Sequence, residues 1–233
     1  LLGQVISSLN LDKDVYKATK VASLISKAKN DLITADMYEM SDMYKLDRMS
    51  GMPGMAAIYR EYTSMCRKSN SMDFDDLLLM TNIMFRDCPT ILEKYQKLFK
   101  YILVDEYQDT NSCQYFIIKK LAMPENNLCV VGDDAQSIYS FRGAKIENIL
   151  GFSRDYPNYH LYKLEQNYRS TQTIVNAANS LIAKNSKQIP KTIFSESEQG
   201  DLIKLVESST DAEEGIKIAS MIADLAKSGE DYS

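Results

Sequence analysis

Tyr101-Ile102-Leu103-Val104-Asp105-Glu106-Tyr107-Gln108-Asp109-Thr110-Asn111 opens on a short apolar run and passes into carboxylates and amides. A second such run, Leu128-Cys129-Val130-Val131, is followed by Gly132-Asp133-Asp134. A third, Tyr159 to Leu164, shows alternation, and Asp201 to Val206 reads as a further strand. Helical stretches separate them, around Ser112 to Ala122 and Ile146 to Phe152. Buried β-branched runs alternating with helices predict an α/β fold with a parallel sheet. In open sheets of that kind ligands bind beyond the carboxyl ends of the strands, where Asp105 and Glu106 stand.

Upstream of Met72 the grammar is helical. Asp12 to Lys29 places Val15, Ala18, Ala22 and Ile25 at helical spacing, with Asn30 as a stop. Leu32 to Arg48 is Met- and Tyr-rich and partly helical. Gly51-Met52-Pro53-Gly54 is a breaker, after which Met55 to Arg67 resumes the helical period through Ile58, Tyr59, Tyr62 and Cys66. Asp73 is a good N-cap for the next helix, and Asp75 and Asp76 suit its positive end. Pro89 ends that helix, and Thr90 can cap another running to Phe99. Downstream, Thr171 to Asn185 puts Ile174, Val175, Ala178, Leu181 and Ile182 on one side of a long helix. Asp211 to Ala226 is a last helix, and the final residues read as the beginning of a loop. The expected organisation is residues 1–72 as an all-helical unit, 73–168 as an α/β unit, and 169–233 as the start of a second α/β unit.

Composition bounds the function. The chain has 233 residues, 45% hydrophobic and 25% charged, an ordinary globular balance. No apolar run approaches the length of a transmembrane helix, and Leu1-Leu2-Gly3 does not read as a signal peptide. The missing initiating Met suggests a piece of a longer chain. Cys66, Cys88, Cys113 and Cys129 form no C-x-x-C pair and only one His is present, which argues against zinc. Unpaired cysteines of this kind fit a reducing cytoplasm, as small, partly buried apolar residues. A net charge of −5 excludes a nucleic-acid binder that works by bulk basicity, but not one that uses a local patch or stacking.

At a strand tip, a first carboxylate such as Asp105 can hold Mg²⁺, which prefers hard oxygen ligands. A second, Glu106, can orient and deprotonate a water for attack on a phosphoryl group. Taken alone, the pair reads equally well as caps and turns.

Its surroundings carry more. The block from Val104 to Asn111 is followed by Val131-Gly132-Asp133-Asp134-Ala135-Gln136-Ser137-Ile138-Tyr139-Ser140-Phe141-Arg142-Gly143-Ala144, and then by Leu164-Glu165-Gln166-Asn167-Tyr168-Arg169-Ser170. These blocks, in this order, resemble motifs II, III and IV of the UvrD/PcrA/Rep-type superfamily 1 DNA helicases. The resemblance covers essentially the whole chain and is strongest from Tyr101 to Ser170. Ile25 to Asn30 and Met72 to Leu79 also look like linking regions of that family. It implies two RecA-like (P-loop NTPase) lobes of three-layer αβα build sharing an ATP site, the first with an all-helical insertion.

The resemblance assigns roles residue by residue. Asp105 resembles the Mg²⁺-binding carboxylate, Glu106 the catalytic base for ATP hydrolysis, and Gln136 the γ-phosphate sensor. Arg169 resembles the arginine on the γ-phosphate, whose guanidinium grips oxygens in a fork. Tyr168 looks like the residue that stacks on adenine. Tyr139, Phe141 and Arg142 resemble the elements that contact single-stranded DNA. Phe141 stands where many relatives carry Trp, so stacking survives with less ring area. Gln108 and Asp109 look like a relay between nucleotide and DNA sites, although Asp109 or Thr110 can equally cap the next helix. Asp133 and Asp134 read as loop-ordering residues, and His160 as a strand residue of no catalytic importance.

The activity implied is an ATP-dependent helicase unwinding duplex DNA 3′ to 5′ in repair or replication. No glycine is followed by Lys, so the G-x-x-x-x-G-K-[ST] phosphate cradle is absent from this stretch. It is expected upstream of Leu1, with later motifs after Ser233 and no ATPase from these residues alone. The rival readings are a nuclease-fused relative of the AddA/RecB kind and a catalytically dead DNA-binding or partner-recruiting module. The helicase reading requires Asp105, Glu106, Gln136 and Arg169 to face one crevice.

Overall fold

The computed structural model describes residues 1–229. The chain divides into two compact units, Leu1–His160 and the residues from Leu161 on. The boundary expected at Arg169 falls inside the second unit.

The first unit opens with α1 (Leu2–Ser8), α2 (Ala18–Asn30), α3 (Ala35–Tyr38), α4 (Asp42–Met49) and α5 (Met55–Lys68). Val21, Ile25 and Ala28 recur at helical spacing along α2 and are buried with Val5, Ile6, Tyr38, Met55, Ile58 and Tyr59 in one apolar core. Thr34 and Ser41 cap α3 and α4 by accepting from Met37 N and Tyr44 N. The helix expected from Asp12 begins only at Ala18. Asp12 Oδ1 accepts from Asp14 N at 2.8 Å, a local turn that competes with a helical start, and Val15 is left exposed.

Next come α6 (Phe74–Asp87), α7 (Pro89–Leu98), β1 (Ile102–Val104), α8 (Ser112–Ala122) and β2 (Leu128–Val130). Asp73 caps α6 in a reciprocal capping box with Asp76. Pro89 occupies the first turn of α7 and Cys88 is its N-cap, so Thr90 lies inside the helix and does not cap it. β1 and β2 pair in parallel, with Ile102 opposite Leu128, Leu103 opposite Cys129 and Val104 opposite Val130. α8 makes the crossover between them. Its first turn is closed by a second capping box, Asn111 with Gln114. The helix expected over Ile146 to Phe152 is two short ones, α9 (Glu147–Leu150) and α10 (Phe152–Asp155), broken at Gly151. Phe152 packs edge-on against Tyr107 at 5.9 Å and lies tilted on Tyr156 at 4.7 Å, and Tyr107 is buried behind the tip of β1.

The second unit holds α11 (Gln172–Ile182) and α12 (Asp211–Lys227), the latter capped by Thr210. The strands expected over Tyr159 to Leu164 and Asp201 to Val206 do not form among the described residues. A strand needs a hydrogen-bonded neighbour, and among the described residues of this unit the only bridge is Gln166 with Phe194. Leu164, Leu202 and Leu205 are accordingly exposed. Of the apolar side expected along α11, Val175 is buried while Ile174 and Leu181 are exposed. The loop expected at the C-terminal end reaches residues 230–233, outside the described ones. The result is a mixed helical fold with a small two-stranded parallel sheet among the described residues, and no described helix is long and apolar enough to cross a membrane.

Candidate functional site

The tips of β1 and β2 converge on one cluster. Val131 N donates to Val104 O at 2.8 Å, and Tyr107 N donates to Val131 O at 2.9 Å, so the parallel ladder continues into the loops beyond the strands. Asp105 and Glu106 follow β1 and are exposed. Asp105 Oδ1 accepts from Glu106 N at 2.9 Å. Glu106 itself has φ 49° and ψ 43°, the left-handed region that non-glycine residues rarely occupy. Such backbone persists where surrounding contacts over-determine it. Here they do: Tyr107, the next residue, is 1% exposed and locked by Phe152.

Gln108 is the centre of the cluster. It is 1% exposed, and both ends of its amide are used. Nε2 donates to Glu106 Oε2 at 2.7 Å, while Oε1 accepts from Asp133 N at 3.0 Å. One buried side chain therefore joins the loop after β1 to the loop after β2. Asp133 carries the connection onward: Oδ2 accepts from Gln136 Nε2 at 2.9 Å and Oδ1 from Ala135 N at 2.9 Å. Gly132 makes room for this. A Cβ there would stand 2.6 Å from Gln108 Oε1 and 2.9 Å from Ile149 Cδ1.

Glu106, Gln108, Asp133 and Gln136 thus form one chain of hydrogen bonds across the two strand tips, and Asp105 precedes it at the end of β1. Asp133 is part of the same chain of hydrogen bonds, beyond the loop-ordering role expected of it. Its signal in the sequence was faint: a carboxylate next to a glycine just past the end of an apolar run. Asp109 does not cap α8; Asn111 does. Asp109 Oδ1 is buried without a hydrogen-bond partner.

Beyond Gln136 the chain turns through Tyr139, Phe141 and Arg142. Phe141 is 76% exposed and Tyr139 38%, so neither is ordinary core. Their rings lie 6.0 Å apart, and the Arg142 guanidinium sits 5.1 Å from the Tyr139 ring and 5.3 Å from that of Phe141. The three form a solvated aromatic–cationic surface suited to bases and phosphates. Gly143, at φ 92°, ends the turn in a conformation that side chains resist.

Tyr168 and Arg169 belong to the second unit, where both are exposed. Asn167 Oδ1 accepts from Arg169 N at 2.9 Å and from Ser170 N at 2.8 Å, and Tyr168 OH donates to Gln166 Oε1 at 2.7 Å. His160 is exposed and takes no part in the site.

Asp105 and Glu106 supply hard oxygen donors, while no group of three or more His, Cys, Asp or Glu among the described residues could hold a metal ion. That donor set suits Mg²⁺, which binds through one or two carboxylates together with substrate phosphates and its own waters. It does not suit an all-protein cage.

Comparison with known proteins identifies the family. Residues 1–157 match the family model of the UvrD/REP helicase N-terminal domain, and residues 162–233 that of the UvrD-like helicase C-terminal domain. The chain is 43% identical over 225 residues to the ATP-dependent DNA helicase PcrA of Leuconostoc citreum, covering 97% of this chain and 29% of that protein. It is 40% identical over 225 residues to PcrA of Bacillus subtilis, covering 97% and 30%. It is 41% identical over 235 residues to PcrA of Staphylococcus epidermidis, covering 100% and 31%. The chain thus spans about three-tenths of the length of these relatives. With the first model matching more than half of its residues and the second most of the remainder, the chain belongs to the UvrD/REP helicase family.

Proposed function

We propose that this chain carries the metal, base and sensor portion of an ATP-driven DNA helicase that moves 3′ to 5′ along a single strand, in repair or replication. In this reading residues 1–72 are a helical insertion, residues 73–168 the second half of a RecA-like lobe of three-layer αβα build, and residues 169–233 the start of a second lobe.

The observation that carries the reading is the buried Gln108 amide. It ties the candidate base, Glu106, to Asp133 and through it to Gln136. A capping or turn-forming pair of carboxylates has no need of a buried bridge to the neighbouring strand's loop. A site that must sense a phosphate and pass its state to a DNA platform does.

In this reading each residue has a role. Asp105 would hold Mg²⁺, which when bound neutralises charge on the β- and γ-phosphates of ATP. Gln108 grips one oxygen of Glu106, so the other is oriented to accept a proton from the attacking water. The Gln136 amide, donating to Asp133, is the donor that a γ-phosphate would take over. That exchange would loosen Asp133 and shift the turn bearing Tyr139, Phe141 and Arg142, the surface for single-stranded DNA. Arg169 would add a planar cation to the γ-phosphate, and Tyr168 a ring for adenine.

The test is Gln108→Ala in the whole protein. It should retain nucleotide binding, lower turnover, and lose most of the stimulation of turnover by single-stranded DNA. Full DNA-stimulated turnover in that variant would remove the bridge, and with it the reading.

A further inference from the structure

Lys29 and Asn30, which end α2, and Asp31, its C-cap, reach in three directions at once. Lys29 is 1% exposed, and its ammonium lies 2.6 Å from Asp73 Oδ2 and 2.8 Å from Asp76 Oδ1 at the start of α6. Asn30 is also buried. Its amide donates to Ser26 O at 2.9 Å and to Asp75 Oδ1 at 3.1 Å, while its oxygen accepts from Asn111 Nδ2 at 2.6 Å. Asn111 is the N-cap of α8, the last residue of the block that holds Asp105, Glu106 and Gln108. Cys113 Sγ donates to Lys29 O at 3.1 Å.

Asp31 completes the set. Its Oδ1 lies 2.6 Å from Lys145 Nζ. Lys145 follows the DNA-platform turn by three residues, and its backbone N donates to Thr110 O at 3.0 Å. Asn148 Nδ2 donates to the same Thr110 carbonyl at 3.0 Å. Gly143, which closes the turn, lies so near that a Cβ on it would sit 3.9 Å from Asn30 Cβ and 4.0 Å from Asn111 Cβ.

We propose that Lys29-Asn30-Asp31 is a positioning node through which the helical part sets the Tyr139–Phe141–Arg142 surface in register with the carboxylates at the tip of β1. None of the three touches the carboxylates or the aromatic surface. They act through Asn111 on one side and through Gly143 and Lys145 on the other. The buried ammonium, with both carboxylates committed to it, keeps the end of α2 from sliding along α6, because a slide would leave buried charge unpaired. Asn30 and Asp31 then transmit that fixed position to the two loops. A helix that served only as packing would need apolar contacts here; it presents instead directional hydrogen bonds, which fix distance and angle together.

The inference rests on the helicase reading, and its test separates the two. In the whole protein, ATP turnover is measured against the concentration of an oligo-dT strand, for wild type, Asn30→Ala, Asp31→Lys, and the swapped pair Asp31→Lys with Lys145→Asp. The single variants are expected to raise the half-stimulating concentration roughly 2- to 30-fold, the range of coupling changes produced by residues remote from both ligands. DNA-free turnover is expected to stay at the wild-type level, and the swapped pair to move back toward wild type. Should Asn30→Ala fail to fold, Asp31→Asn at the half-exposed pair gives the same readout. Unchanged half-stimulation in the single variants overturns the node, as does a fall of DNA-free turnover in step with stimulated turnover, or a swapped pair no better than Asp31→Lys. A wild-type protein that oligo-dT does not stimulate overturns the helicase reading itself.

Discussion

Glu106 stands on left-handed backbone with its carboxylate held by a buried amide and its neighbour Tyr107 wedged behind the strand. In the proposed reading this constraint suits a base, because it would hold the free oxygen in place before substrate arrives. Glu106→Gln keeps the shape and removes the proton acceptor. It should abolish turnover in the whole protein while nucleotide binding, measured by fluorescent-analogue titration, stays within a few-fold of wild type. Gly132 is constrained by its neighbours: any Cβ meets the Gln108 oxygen and Ile149. Gly132→Ala should cost roughly 1–3 kcal/mol, as overpacking does, visible as a lower denaturation midpoint. Phe141, exposed and flanked by Arg142, offers stacking. Phe141→Ala should weaken single-strand binding by roughly 1–3 kcal/mol, about 5- to 150-fold, measured by anisotropy with a labelled oligonucleotide. Unchanged affinity would return the ring to a packing role.

Among the elements, the join between α2 and α6 is electrostatic as much as apolar. Burial opposes the charge on Asp73, but hydrogen bonds from the Lys29 ammonium, the Asp76 amide and the Tyr62 hydroxyl outweigh it and hold its carboxyl below the ordinary value of 3.8. A depressed folded-state pKa contributes stability above the ordinary value and loses it as the pH falls through the lower, folded one. Wild type should therefore melt at progressively lower temperature below about pH 3.8. Asp73→Asn should melt lower than wild type at pH 7, with the gap narrowing in acid. A gap that stays constant from pH 7 to pH 3 would show that Asp73 acts through its capping geometry alone. In α8 the same region buries Cys113, and burial pushes its thiol up to about 11. It should accordingly react slowly with thiol reagents at neutral pH, whereas Cys129, exposed in β2, should react first.

For the molecule as a whole, the cluster at the tips of β1 and β2 lies in one compact unit, and Tyr168 and Arg169 belong to the other. Phosphoryl transfer is almost entirely positioning and charge stabilisation. Without a phosphate cradle, these 233 residues should hydrolyse ATP no faster than a Glu106→Gln control in a phosphate-release assay. Turnover typical of the family from this chain alone would mean that another group supplies the cradle.

The grouping of residues at the strand tips was readable in their order, because each block is contiguous: an apolar run, then Asp105-Glu106, then Gln108; a second run, then Gly132 and Gln136. The cap at Asp73 and the break before Met55 depend on neighbours within a few positions, and such short-range signals survive in a linear string; the cap of α8, expected at Asp109 or Thr110, falls instead on Asn111. The two absent strands show where that string misleads. Alternation in Tyr159–Leu164 and Asp201–Val206 reports a preference for extended backbone, but a ladder also requires a partner whose unpaired groups lie alongside. The link from Gln108 to Asp133, and from Asn30 to Asn111, spans 25 and 81 positions. Each is a matter of ångströms and angles, set by the register of β1 on β2 and by the docking of α2. No local pattern of residue types encodes those distances; they exist only once the buried surfaces have closed.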